Sequence, residues 1–125
     1  MSLKFYRCKT CGNIICMVED SGMIPSCCTH QMSELRPGST DGAIEKHVPV
    51  FETNEDSVYV RIGILPHPME ENHHINFIAV ETNLGFHIRK LDCGHPAEAS
   101  IKLSKYEKVL AVYEYCNLHG LFKAE

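Results

Sequence analysis

Five cysteines fall within the first 28 residues, at 8, 11, 16, 27 and 28, and only Cys93 and Cys116 follow in a chain of 125. This bunching constrains the fold more than any hydrophobic pattern does. Behind it, Leu35-Arg36-Pro37-Gly38-Ser39-Thr40-Asp41-Gly42 is a Pro/Gly/Ser stretch of the kind that joins units, which places a boundary near residue 37. A leading segment of about 36 residues lies below the roughly 40 at which a hydrophobic core holds a fold unaided. It needs a staple, and with an odd number of cysteines, seven, metal is the better one.

Cys8-Lys9-Thr10-Cys11-Gly12 is a CxxC knuckle in which two thiolates share a tight turn, and Cys27-Cys28 offers a second pair. Four sulfurs suit iron or zinc equally by spacing alone. Neighbours in a strand face opposite sides, so Cys27 and Cys28 can hold one ion only if the backbone bends between them. Cys16 is spare and is expected to fill a small apolar site beside Ile14 and Ile15. His30 is expected to be exposed and is given no role.

Residues 38–125 read as strands. Ser57 to Leu65 alternates, with Val58, Val60, Ile62 and Ile64 on one face and Tyr59 and Arg61 on the other; His74–Glu81, Phe86–Leu91, Ala99–Leu103 and Lys108–Cys116 are similar runs. Asn54-Glu55-Asp56-Ser57 and Thr82-Asn83-Leu84-Gly85 supply hairpin turns. Five or six short strands with close turns predict an all-β chain whose larger part is an antiparallel β-sandwich of immunoglobulin-like build. Twelve Lys and Arg against 16 Asp and Glu give a net charge of -4 without a basic stripe, which argues against nucleic acid. Apolar runs are too short for a membrane helix and the start lacks a signal-peptide core, so no membrane and a cytoplasmic location are expected.

Three segments carry most of the histidines: Glu45-Lys46-His47-Val48-Pro49, His67-Pro68-Met69-Glu70-Glu71-Asn72-His73, and Cys116-Asn117-Leu118-His119-Gly120. Each lies at a strand end or in a loop, where a rigid scaffold presents binding groups. The CxxH at 116–119 brings a thiolate and an imidazole to one turn, and Pro49 and Pro68 stiffen the chain near His47 and His67. Four imidazoles and one thiolate would leave an octahedral ion one vacancy, unlike a closed four-ligand structural site.

In combination, CxxC with CysCys, then EKHVP, HPMEENH and CNLHG, the sequence resembles the desulfoferrodoxin family of two-domain superoxide reductases over nearly its whole length. The resemblance implies a small desulforedoxin/rubredoxin-like domain, residues 1–37, with an FeS4 centre on Cys8, Cys11, Cys27 and Cys28, where zinc can substitute. It implies an immunoglobulin-like domain, residues 38–125, with a catalytic iron on His47, His67, His73, His119 and the axial Cys116. His74 is the alternative to His73. Two iron ions per chain, one-electron reduction of superoxide to hydrogen peroxide, a rubredoxin-like electron donor and a homodimer follow from the same resemblance. Lys46 is expected to attract superoxide, and Glu45 to occupy the vacant position after turnover. The rival readings are a non-enzymatic metal-binding or electron-transfer protein with a zinc-stapled small domain, and a superoxide dismutase. Cys93 and His95 lie in a turn-like segment that is expected to be plain surface.

Overall fold

A computed structural model describes residues 3–38 and 47–125. Their regular elements are β-strands, and the chain divides into two compact units, residues 1–36 and 37–125.

In the first unit β1 (Phe5–Arg7) is central to a three-stranded antiparallel sheet, flanked by β2 (Ile14–Cys16) and β5 (Ser33–Leu35). A separate hairpin joins β3 (Ser26–Cys27) to β4 (His30–Gln31). Its buried cluster consists of Tyr6, Cys8 and Met32, with Met17 and Cys27 packed against them. Phe5 is buried as well, so one of the four buried apolar side chains of this unit is itself a sulfur donor, and burying the other three contributes only about 5–9 kcal/mol. Cys16 is half-buried opposite Phe5, and His30 is exposed.

The second unit pairs β6 (Pro49–Thr53), β7 (Ser57–Ile62) and β10 (Glu98–Lys102) in one antiparallel sheet, in the order β10-β7-β6. The other sheet runs β12-β11-β8-β9, from β8 (Ile75–Thr82), β9 (Gly85–Lys90), β11 (Val109–Cys116) and β12 (Gly120–Ala124). Val58, Val60 and Ile62 of β7, Ala99 and Ile101 of β10, Ile75, Ile78 and Val80 of β8, and Val112 and Cys116 of β11 form one buried core. Both sheets therefore bury their inner faces in the same apolar cluster.

Two expectations are corrected. The alternation Val58, Val60, Ile62 does not continue to Ile64: the strand stops at Ile62, Gly63 turns at φ +75°, and Ile64 is 67% exposed. The chain leaves the sheet there because it must carry His67 to the end of the fold, and the Gly63 N–H donates to the Val48 carbonyl at 3.2 Å. In β8 and β11, inward and outward residues alike are buried from Phe77 to Thr82 and from Ala111 to Cys116, so central strands read as continuous rather than alternating runs.

The turns follow side-chain chemistry. Asn54 Oδ1 accepts from Ser57 Oγ at 2.7 Å and from the Asp56 N–H at 3.3 Å, an Asx turn that starts the β6–β7 hairpin. Glu107, between β10 and β11, accepts from Thr82 Oγ1 at 2.7 Å, His87 Nε2 at 2.8 Å and the Ser104 N–H at 2.8 Å, which ties that loop to the β8–β9 hairpin. The Thr82 hydroxyl, then the Ser104 N–H and His87, hold the Glu107 carboxyl down at about 2. A depressed carboxyl stabilises the fold above its unfolded pKa, near 4.5, and loses that contribution as the pH falls towards 2. Glu107→Gln should therefore cost about 1–2 kcal/mol at pH 7. In melts from pH 7 to pH 2, the gap to the parent protein should close through the acid range; a constant gap would refute the ionic role.

Candidate metal centres

The first centre is assembled by two turns. Directly after β1, Cys8 donates its N–H to the Asn13 carbonyl at 2.8 Å, the Gly12 N–H returns to the Cys8 carbonyl at 2.9 Å, and the Cys11 N–H points at Cys8 Sγ at 3.5 Å. Gly12 sits at φ +84°, a conformation that costs an L side chain about 1–2 kcal/mol. The facing pair comes from the β3–β4 hairpin, whose two-residue loop is Cys28-Thr29 with φ 53° and 65°. Both loop residues are left-handed, the requirement of a type I′ turn, here met by two non-glycine residues. This turn is the bend that adjacent cysteines need to face one point.

The four sulfurs lie within 4.8 Å of one another, with Cys11 Sγ 3.6 Å from Cys27 Sγ and Cys27 Sγ 3.9 Å from Cys28 Sγ. A tetrahedron with metal–sulfur bonds of about 2.3 Å has edges of about 3.8 Å, so the donor set fits an S4 ion. Asn13 Nδ2 donates to Cys27 Sγ at 3.6 Å. The Cys11 N–H lowers the Cys8 thiol to about 6, whereas Cys11, then Cys8 and Cys27, push Cys28 up to about 12. Sulfurs that resist ionising together call for a cation among them. Cys8 is buried, but Cys11 and Cys28 are exposed, so one side of the centre faces solvent.

The second centre draws on three separate segments. His47 precedes β6, His67 and His73 lie within the loop between β7 and β8, and Cys116 and His119 bracket the turn between β11 and β12. Glu70 and His73 exchange backbone hydrogen bonds at 2.9 and 3.1 Å, closing Glu71-Asn72 into a turn. The imidazoles form a closed cycle. Ring centroids are 4.8 Å apart for His47–His67, 4.8 Å for His67–His73, 5.3 Å for His73–His119 and 4.6 Å for His119–His47, with interplanar angles of 66–77°. Every ring thus stands nearly edge-on to its neighbours, as four equatorial donors around one point would.

Tautomer and spacing support an ion at that point. His67 Nδ1 donates to the Pro68 carbonyl at 2.7 Å, which leaves Nε2 as the free lone pair; it faces His47 Nε2 at 3.1 Å. Cis nitrogens on a metal at about 2.1 Å lie about 3.0 Å apart. Burial, joined by the neighbouring histidines, lowers His67 to about 4, so it is neutral and able to ligate at pH 7. Phe122 stacks on His47 at 4.7 Å and fixes that ring from behind. His47, His67, His73 and Cys116 offer donor atoms within 4.8 Å of one another.

Cys116 is fully buried at the end of β11, and its sulfur lies 3.6 Å from His119 Nδ1. Burial pushes the thiol up, while the backbone N–H groups of Leu118 and His119 pull it down by pointing at the sulfur. Two residues earlier Glu114 is fully buried on the same inward register, opposite Ile78 of the core. Burial pushes its carboxyl up to about 9, so at pH 7 it is a neutral acid beside the thiol.

Of the expected residues, Glu45 and Lys46 lie outside the described residues. His74 faces away from the cycle, its Nδ1 on the Glu70 carbonyl at 2.9 Å. Cys93 is exposed, 3.6 Å from the same carbonyl, and among the described residues it joins no donor cluster with His95. Sequence reasoning missed Glu114 and Asn117. A carboxylate at the inward position of Val112-x-Glu114-x-Cys116 was the available signal for the first. The Asn117 side chain accepts the His74 N–H at 2.8 Å and donates to the Asn72 carbonyl at 3.1 Å.

Residues 39–125 match the family model described as Desulfoferrodoxin. A desulfoferrodoxin of Nitratidesulfovibrio vulgaris is 40% identical, over 98% of this chain and 95% of that protein. One from Syntrophotalea carbinolica is 39% identical, over 98% of this chain and 96% of its own. The crystal structure of the superoxide reductase from Treponema pallidum superposes with a TM-score of 0.85 at 29% identity, over 100% of both chains. Four sulfurs on two turns, a four-imidazole cycle beside a buried thiol, and full-length similarity converge: the chain belongs to the desulfoferrodoxin family.

Proposed function

We propose that this protein is a superoxide reductase that converts superoxide, one electron and two protons to hydrogen peroxide. The observation that carries the reading is the closed cycle of His47, His67, His73 and His119 beside the Cys116 sulfur. These five residues would hold iron, and when bound there the iron supplies the electron that superoxide takes up. Five protein donors leave a six-coordinate ion one position for a small anion. Cys8, Cys11, Cys27 and Cys28 would hold a second iron in a desulforedoxin-like domain, followed by an immunoglobulin-like sandwich.

The side chains divide the remaining work. His67 is kept neutral by burial and oriented by Pro68. The N–H groups of Leu118 and His119 hold the Cys116 sulfur in place, and the neutral Glu114 puts no negative charge beside it. Lys46 draws the anion in: a single charge pair at about 6 Å and an effective dielectric of about 20 is worth roughly 3 kcal/mol before screening. Glu45 would supply a carboxylate to the iron in its oxidised form. Re-reduction requires an outside donor, for which a rubredoxin-like protein fits, and the small first unit gains stability by pairing in a homodimer. Seven cysteines, five of them placed in the two donor sets, suit a reducing cytoplasm.

The test is pulsed superoxide against the reduced protein, with iron counted per chain. Rapid oxidation with one hydrogen peroxide per iron of the second centre is expected; superoxide loss without any reductant would make the protein a dismutase, and no reaction at full iron loading would overturn the reading. In the same assay Lys46→Ala should slow the reaction about tenfold or more at low salt and flatten its ionic-strength dependence. Glu45→Ala should keep the rate close to that of the parent while shifting the visible spectrum of the oxidised protein.

A further inference from the structure

We infer that Asn117 is a positioning residue that couples the placement of the axial sulfur to that of an equatorial imidazole, an inference that rests on the metal-centre reading above. At the end of the β11–β8 ladder, Cys116 pairs with Ile75 after a register shift at Tyr115/Cys116. One residue on, the chain must leave the sheet to make the turn that delivers His119. The Asn117 N–H still donates to the His74 carbonyl at 3.1 Å, but the strand offers no backbone acceptor to answer the His74 N–H. The Asn117 side chain takes that place, accepting from the His74 N–H at 2.8 Å, and its amide nitrogen reaches on to the Asn72 carbonyl at 3.1 Å.

One carboxamide therefore continues the ladder beyond the last paired strand residue. The two side-chain contacts and the one backbone contact of Asn117 fall on Asn72 and His74, the two chain neighbours of His73, while the Asn117 backbone lies next to Cys116. The peptide that carries His73 and the peptide that carries Cys116 are thereby held in one frame. The His73 turn is also tied by the Gly94 N–H on the Met69 carbonyl at 2.9 Å and by Cys93 Sγ on the Glu70 carbonyl at 3.6 Å, but those ties lead away from Cys116, whereas the Asn117 contacts run to the strand that ends in it. An amide is required on both counts: the oxygen must accept from one neighbour of His73 and the nitrogen must donate to the other.

The experiment uses the full chain loaded with cobalt(II), whose visible bands report geometry without turnover. The variants are made in a Cys8→Ser chain, which loses the metal of the four-sulfur centre, so the remaining bands are those of the second centre. Asn117→Ala should displace the isolated bands, weaken cobalt binding at that centre by roughly ten- to 100-fold and speed hydrogen exchange of the His74 amide. Asn117→Asp keeps the acceptor and should restore His74 protection and part of the spectrum. Asn117→Gln sets the amide one methylene too far out and should shift the bands, which keeps the test decisive if the alanine variant does not fold. Wild-type bands and affinity in these variants, with only a lowered melting temperature, would reduce Asn117 to a structural residue and overturn the inference. If Cys116→Ser and His73→Ala themselves leave the bands of the loaded protein unchanged, the failure lies with the metal-centre reading instead.

Discussion

Replacement of Cys116 by serine should abolish superoxide reduction, with a rate loss of at least about 100-fold, while the four-sulfur centre stays intact. The expectation follows from where the sulfur sits. Cys116 is fully buried at the point where β11 meets the histidine cycle, and two backbone N–H groups are aimed at it. A serine hydroxyl has a far higher pKa than a thiol and does not ionise in an apolar pocket, so the donor becomes neutral, hard and weak. Changes in groups that merely orient ligands typically cost 10–100-fold in affinity or activity, and removal of the ligand itself exceeds that. Rapid mixing of the reduced variant with superoxide, alongside its visible spectrum, checks both halves. A variant that keeps the parent rate would show that the sulfur is a core residue near the site rather than part of it.

Cys8→Ser should have its largest effect on folding. The buried apolar side chains of the first unit are Phe5, Tyr6, Cys8 and Met32, too little apolar surface to offset the ordering of about 36 residues. A structural metal bound to thiolates contributes on the order of 10 kcal/mol at neutral pH, and without it such units unfold. The variant should lose metal from the first centre, and amides of β1, β2 and β5 should exchange freely. The second unit, with its own core across two sheets, should remain protected and keep its reaction with superoxide. Retained protection of Phe5, Tyr6 and Arg7 in the metal-free variant would show that the unit holds itself together by packing.

What the sequence revealed depended on how local the cause was. Val58, Val60 and Ile62 announce a strand because one face of β7 is solvated; β8 and β11 are buried on both faces, so their periodicity is lost and only their apolar density remains. The donor-bearing segments were legible because each is a short motif in which proline, glycine or a tight turn serves a nearby ligand. The closed order of the four rings was not, since it depends on how separate segments meet after folding. Asn117 shows the limit most clearly: its partner His74 lies 43 residues away, and nothing around an asparagine in CNLHG distinguishes a solvated amide from one that completes a β-ladder. Glu114 occupies a recognisable inward position, yet its neutrality emerges only with the burial of both carboxylate oxygens.

The two donor sets differ in how far they reach along the chain, and this gives them an order in time. The sulfurs of the first lie between residues 8 and 28, a span whose closure entropy is small and which leaves the ribosome early. The cycle of imidazoles runs from residue 47 to residue 119, so it cannot close until residue 119 has been made and both sheets have paired. Metallation of the first unit is therefore a local event open to a nascent chain, whereas metallation of the second is a checkpoint that only a fully folded second unit passes. During synthesis, the first unit can therefore be stapled before the histidine cycle exists, and reactivity at that cycle comes later.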